Sequence, residues 1–82
     1  MASEAAARIA TLSPREREVL DRLVAGMGSK DIAHELGISP RTVEVHRARL
    51  LARIGVGSLA EAVRVAVLAE RDQHKLRGFN AA

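Results

Sequence analysis

The chain has 82 residues, which is enough for one small domain and excludes a two-domain enzyme. Hydrophobic residues make up 48% of it and charged residues 28%, a balance that is typical of a folded domain and too apolar for intrinsic disorder. Phe79 is the single aromatic residue, which predicts an aliphatic core and argues against an aromatic platform for single-stranded nucleic acid.

The chain has no cysteine, which excludes disulfides and thiolate metal sites and indicates a reducing compartment. No apolar run approaches the ~20 residues that a membrane helix needs. We therefore expect a cytoplasmic protein. The formal charge of +3 permits a polyanionic partner without requiring one, so the position of the charge along the chain matters more than its sum.

Helix signals divide the chain into a central domain, residues 12–71, with a segment on either side. Residues 1–11 lack a wide apolar face and predict a linker or a fraying helical lead-in. Residues 72–82 show no periodicity and predict a flexible tail, disordered or foreign to the native chain. Between them the pattern is helical throughout, so we expect an all-α, compact four-helix domain with helices near 14–25, 29–36, 40–54 and 59–71.

Capping residues mark where each helix starts. Ser13 and Glu16 form a capping box around Pro14, which suits the first helical position. Ser29 is expected to cap the second helix, and Ser39 followed by Pro40 repeats the first signal. A second capping box over residues 58–61 opens the fourth helix.

The second and third predicted helices have the spacing of a helix-turn-helix. Ala33 is small enough for two helices to cross closely, and Gly37 can take the positive φ that the turn needs. Ile32, Leu36 and Val43 supply apolar anchors. A helical hairpin in a generic bundle would show the same turn and anchors, so this spacing leaves that alternative open.

The positive charge is concentrated on the third helix. Residues 39–54 contain four arginines and one glutamate, so this segment alone carries the chain's formal charge. At ~100° per residue, Val43, Leu50 and Ile54 form the stripe that faces the core. The opposite side has short side chains in the middle and longer polar side chains on either side. Such a face can lie close to the floor of a groove. The alternative is a basic face that only contacts solvent. The start of the helix argues against this alternative, because Ser39 and Pro40 are expected to leave backbone amides free to bind an anion.

Five motifs together resemble the DNA-binding domain of the LuxR-type response-regulator family, within its FixJ/NarL-like branch. The resemblance extends over residues 12 to 68, about seventy per cent of the chain. The motifs are LSPREREVL at 12–20, SKDIA at 29–33, LGISPRTVEVHR at 36–47, IGV at 54–56 and SLAEAVR at 58–64.

This resemblance implies sequence-specific binding of double-stranded DNA by the output domain of a bacterial transcription regulator of a two-component system. The third helix would enter the major groove and the fourth would form a homodimer on an inverted repeat, weak in the absence of DNA. Carried over from the family, the base contacts fall on Arg41, Glu44, Val45 and Ala48, and the DNA backbone contacts on Lys30, Thr42, His46 and Arg49.

Glu44 and Ala48 stand where other branches of the family carry basic residues, so sequence preference is expected to lean on Arg41, Val45 and DNA shape. A glutamate can accept a hydrogen bond from cytosine, but it also repels phosphate. Pairing with Arg47 or Arg41 is the alternative role for Glu44.

The fourth predicted helix has more apolar residues than one core face can use. Leu59, Val63 and Ala66 are expected in the core, which leaves an apolar surplus for a dimer interface. The residues expected at that interface are Val65, Leu68 and Ala69. The alternative is a helix that the N-terminal segment buries more deeply.

Two other functions compete with this interpretation. A promoter-reading domain of a sigma factor opens with a similar helix but usually ends soon after its recognition helix, whereas here a capped apolar helix follows Ser58. A helical protein-interaction module would bind a protein partner through the apolar surplus of that helix and would not bind DNA.

Enzyme function is rejected, because no residue pattern matches a nucleophile motif and so short a chain offers little pocket volume. His46 has no cysteine to complete a metal site, so a structural or phosphate-contacting role is expected. We expect no cofactor, metal or small-molecule ligand and no membrane partner. RNA polymerase is a further candidate partner.

Overall fold

The computed structural model describes the backbone of residues 4–81 and the side chains of residues 4–71. The described residues form helices joined by short turns, with no strand among them, which confirms the all-α class. There are five helices rather than four. They are α1 (Glu4–Ala10), α2 (Pro14–Val24), α3 (Ser29–Leu36), α4 (Pro40–Ile54) and α5 (Leu59–Ala81).

The start of α2 is fixed by the predicted capping box. The Ser13 hydroxyl accepts a hydrogen bond from the Glu16 amide at 3.2 Å, and the Glu16 carboxylate accepts one from the Ser13 amide at 3.1 Å. Two backbone donors that the helix cannot satisfy itself are thereby paired. The exact residue at which α2 begins is consequently set by side chains.

The core is aliphatic, as the composition predicts. The side chains that are most completely buried come from α2, α3 and α4, and α4 packs against both α2 and α3. Full burial of each large aliphatic side chain contributes about 1.5–3 kcal/mol. These largest buried side chains are Leu20, Ile32, Leu50, Ile54, Val19 and Val43.

Helix α1 is more ordered than the sequence predicts. Residues 1–11 predict a linker or fraying lead-in, yet residues 4–10 form a helix that packs against α5. Ile9 is only 6% exposed and belongs to the core cluster. A single large apolar residue gives no visible period in seven residues, although burial of that one side chain is enough to join α1 to the core.

Helix α5 differs from its prediction in two ways. Its backbone stays helical through Ala81, beyond the predicted end near Arg71, and residues 72–81 contain no proline that would stop it. The flexibility expected for 72–82 stays a prediction, and residues 1–3 and 82 lie outside the described residues.

The face that α5 turns inward is the second difference. Ala62 and Ala69 are buried at 0% and 5% exposure, while Leu59 and Ala66 are half-buried against the core. Val63 is half-buried outside that cluster. Small residues at this spacing let α5 approach α1 and α2 closely, so burial follows residue size rather than hydrophobicity.

None of the described helices combines the length and apolar content required to cross a membrane.

Replacing Ile9 with alanine should lower the free energy of unfolding by about 2 kcal/mol, because it opens a cavity where α1 meets α5. The measurement is a urea titration followed by circular dichroism. Val67→Ala, at a site 42% exposed, is the control and should change the free energy of unfolding by less than about 0.5 kcal/mol. Equal effects of the two substitutions would mean that α1 frays as the sequence alone predicts.

Candidate nucleic-acid interface

Helices α3 and α4 form the predicted helix-turn-helix. Gly37 ends α3 with φ 70° and ψ 33°, the left-handed conformation that glycine adopts most easily. The Ile38 amide then donates to the Ala33 carbonyl at 3.0 Å, closing the turn over the buried Ala33. The two residues that the sequence assigns to the turn and the close contact therefore have those roles.

The N-terminus of α4 is capped. The Ser39 hydroxyl accepts from the Thr42 amide at 3.0 Å and lies 2.9 Å from the Thr42 hydroxyl oxygen. The expectation that Ser39 leaves the helix-start amides free is therefore wrong for Thr42, because the hydroxyl occupies that donor. Pro40 has no amide hydrogen, so Arg41 carries the remaining free amide of this turn.

The N-terminus of α3 is open instead. Ser29 is the first helical residue and not the cap that the sequence predicts; Gly28 is the N-cap and offers no side-chain hydrogen bond. The Ser29 hydroxyl donates to the Glu44 carboxylate on α4. Lys30 follows directly and is exposed, so a cation lies beside an uncapped helix start.

The outer face of α4 brings together the four residues predicted to contact bases. All four are exposed, on the side opposite the fully buried stripe of Val43 and Leu50. Valine and alanine in the middle of this face let the helix backbone come close to a partner surface. The four exposed residues are Arg41, Glu44, Val45 and Ala48.

The residues predicted to contact the DNA backbone divide into two groups. Lys30 and Arg49 are exposed, while Thr42 and His46 are half-buried at the edges of the outer face. The Nδ1 atom of His46 is buried and has no hydrogen-bond partner. Among residues 4–71 no group of His, Cys, Asp and Glu side chains is placed to hold a metal ion.

Ion pairs divide the arginines of α4 into bound and free ones. Arg53 Nε lies 2.8 Å from a carboxylate oxygen of Glu16, and Arg47 lies 4.0 Å from Glu44. Within the described residues Arg41 and Arg49 have no ion pair or hydrogen bond. The net positive field of this face therefore comes from the two arginines that the protein itself does not engage.

The Glu16–Arg53 pair is a contact that the sequence does not reveal. Glu16 is 3% exposed and serves both the capping box of α2 and the C-terminal turn of α4. A buried carboxylate needs such partners to offset its lost hydration. The pair thus fixes the far end of α4 to the start of α2. Sequence marks Glu16 only as a capping residue, because its pairing depends on how α4 crosses α2.

The exposed apolar part of α5 is smaller than the dimer surface that the sequence predicts. Ala69 lies in the core and Val65 is half-buried against it, so the assignment of Ala69 to an interface is wrong. Helix α1 packs against α5, and Ile9 lines a groove together with Ala66 and Ala69. Leu68, at 45% exposure, remains available to a partner.

The geometry defines a helix-turn-helix domain, and comparison with known proteins assigns it to a class of bacterial regulatory proteins. The model of the family described as bacterial regulatory proteins, luxR family, matches residues 10–66, more than two thirds of the chain. The chain belongs to this family.

Individual relatives point the same way. The chain is 57% identical over 67 residues to the transcriptional regulatory protein FixJ of Azorhizobium caulinodans, covering 82% of this chain and 32% of that protein. It is 53% identical over 57 residues to the transcriptional regulatory protein UhpA of Salmonella typhimurium, covering 70% of this chain and 29% of that protein. The crystal structure of full-length FixJ from B. japonicum superposes with a TM-score of 0.77 at 50% identity, covering 85% of this chain and 34% of that one. The chain spans about a third of the length of these relatives.

Replacing Arg53 with glutamine should lower the free energy of unfolding by about 1–2 kcal/mol, because it leaves the buried Glu16 carboxylate without its cation. Arg49→Gln removes the same charge from the same helix at an exposed, unpaired site and should cost under about 0.5 kcal/mol. Chemical unfolding of both variants makes the comparison. A smaller loss for Arg53→Gln than for Arg49→Gln would contradict the role assigned to the pair.

Proposed function

We propose that this domain binds double-stranded DNA sequence-specifically, as the output domain of a bacterial transcription regulator of the response-regulator type. The observation that carries the proposal is the outer face of α4, flat at Val45 and Ala48 and flanked by the unpaired Arg41 and Arg49. A helix of this shape fits the major groove. Relatives named as transcriptional regulatory proteins support it. DNA as the partner places the domain in the bacterial cytoplasm.

Two kinds of contact are proposed. Arg41, in the first turn of α4, reads a base edge, with guanine the base that arginine recognises best through paired hydrogen bonds. Lys30 and Arg49 bind phosphates on either side and set the register without reading sequence. Thr42 and His46, which lie at the edges of the same face, are proposed as further phosphate contacts.

The presence of α5 disfavours the sigma-factor alternative, because a helix continues well beyond the recognition helix. The protein-interaction alternative draws on the exposed Val67 and Leu68. Charge reversal at Arg41 and Arg49 separates it from DNA binding: reversal abolishes function if the domain binds DNA and leaves function intact if it is only an interaction module.

Binding selection on randomised duplex DNA should enrich an inverted repeat, and Arg41→Ala should then weaken binding to the selected site by about 1–3 kcal/mol and relax the preference at one base pair. Lys30→Ala is the matched control: it should weaken all sequences alike and reduce the log–log salt slope, about −3.6 for ~4 phosphates per domain, by about 1. Fluorescence anisotropy measures both. A changed base preference in Lys30→Ala would show that the roles are misassigned.

Dimerisation on DNA is proposed through the exposed part of α5 centred on Leu68. Replacing Leu68 with glutamate should weaken binding to an inverted repeat about tenfold and leave binding to a single half-site within about twofold, because only the repeat requires two domains in contact. Val24→Glu, at a site of 36% exposure on α2, is the control and should affect both DNAs equally. Equal loss on the repeat and the half-site in Leu68→Glu would exclude this surface.

A further inference from the structure

One hydrogen bond joins the two helices of the helix-turn-helix through their side chains. The Ser29 hydroxyl, at the first residue of α3, donates to Oε1 of Glu44 in the second turn of α4. A serine at a helix start ordinarily caps its own helix. Here Gly28 is the N-cap, so the hydroxyl is free to reach across to α4. Within the described residues no other side-chain hydrogen bond or ion pair connects α3 with α4.

The remaining oxygen of Glu44 lies near an arginine of the same helix. Oε2 lies 4.0 Å from a guanidinium nitrogen of Arg47, one turn further along α4. Glu44 is the only acidic residue between positions 39 and 54, on the face proposed to meet phosphates. A free carboxylate there would repel DNA, whereas this one accepts a hydrogen bond from Ser29 and has the Arg47 cation nearby.

We propose that Glu44 is a positioning residue: it ties the N-terminus of α3 to α4 through Ser29 and does not read a base. The inference rests on the proposed function and deepens it, because it limits base reading to Arg41, Val45 and Ala48. Glu44 would then contribute equally to binding of every sequence.

The Ser29–Glu44 hydrogen bond matters for DNA binding because it holds the N-terminal end of α3 against α4. The other end of α3 is fixed by the Gly37 turn, and its middle by the buried Ile32 and Ala33. The N-terminal end carries Lys30, the proposed phosphate contact, immediately after Ser29. Holding that end against α4 sets the distance between phosphate contact and base-reading face before DNA arrives. Preorganisation of this kind raises affinity by removing an ordering cost.

The test compares Glu44→Gln with Glu44→Ala. Both variants remove the charge, so both lose the repulsion of phosphate and the attraction to Arg47 equally. Glutamine keeps an oxygen that can accept from Ser29, and alanine does not. Glu44→Ala should therefore bind the selected DNA site about fivefold more weakly than Glu44→Gln, the change that one hydrogen bond supplies.

Repeating the comparison in a Ser29→Ala background isolates the tie, since the hydroxyl that distinguishes glutamine from alanine is then gone. The two variants should bind equally there, within about twofold, and binding selection should return the same bases for both as for the unmodified chain. A fivefold difference that persists without Ser29 would overturn the proposal. So would a new preference at one base pair in Glu44→Ala, which is the signature of a base reader.

Denaturant unfolding of the same four variants, without DNA, separates this proposal from the proposed function. A fivefold coupling in the unfolding equilibrium constant establishes the hydrogen bond in the free domain. Coupling in unfolding without coupling in DNA affinity would make the contact merely structural and would overturn the positioning role. If the unmodified chain itself shows no site preference, the proposed function fails, and the positioning role falls with it even where the unfolding coupling is present.

Discussion

The buried stripe of α4 is the contact on which the other features depend. Val43, Leu50 and Ile54 are essentially inaccessible to solvent, and they hold α4 against α2 and α3 along most of its length. Because a helix has one inner and one outer side, this packing decides which residues of α4 remain outside. The exposed face with Arg41 and Val45 is therefore a consequence of the core, and its rigidity comes from the same aliphatic contacts.

Polar contacts then decide which charges on α4 remain available. Glu16 engages Arg53 at the C-terminal end, and Glu44 lies near Arg47 in the middle. The two remaining arginines have no partner among the described residues. A basic helix thus becomes a surface with free cations at defined positions, and the paired arginines serve the fold. Counting arginines along the sequence would overestimate the charge that a polyanion meets.

Helices α1 and α5 form a second layer with a different use of small residues. Ala62 and Ala69 are buried where α5 approaches its neighbours, and Ile9 of α1 belongs to the same core cluster. Burying alanines on one side leaves larger residues, Val67 and Leu68, on the other. Helix α5 therefore does expose apolar residues. They lie on a different side of the helix from the one expected if its largest residues faced the core.

The sequence by itself determined the all-α class, the helix starts at Ser13 and Ser39, the Gly37 turn and the family to which the chain belongs. These follow from local chemistry: capping, proline geometry, positive φ and helical periodicity act within a few residues of one another. It also predicted the exposed face of α4, because three large aliphatic residues leave that helix a single possible core side.

Only the tertiary structure decided the rest. Three features depend on contacts between different helices. They are the burial of Ile9 and Ala69, the Glu16–Arg53 ion pair and the Ser29–Glu44 hydrogen bond. Whether such residues meet depends on crossing angles and on the space left between elements, which no single helix pattern encodes. Ser29 illustrates the limit, since its local pattern predicts a cap, and only the position of α4 turns its hydroxyl toward Glu44.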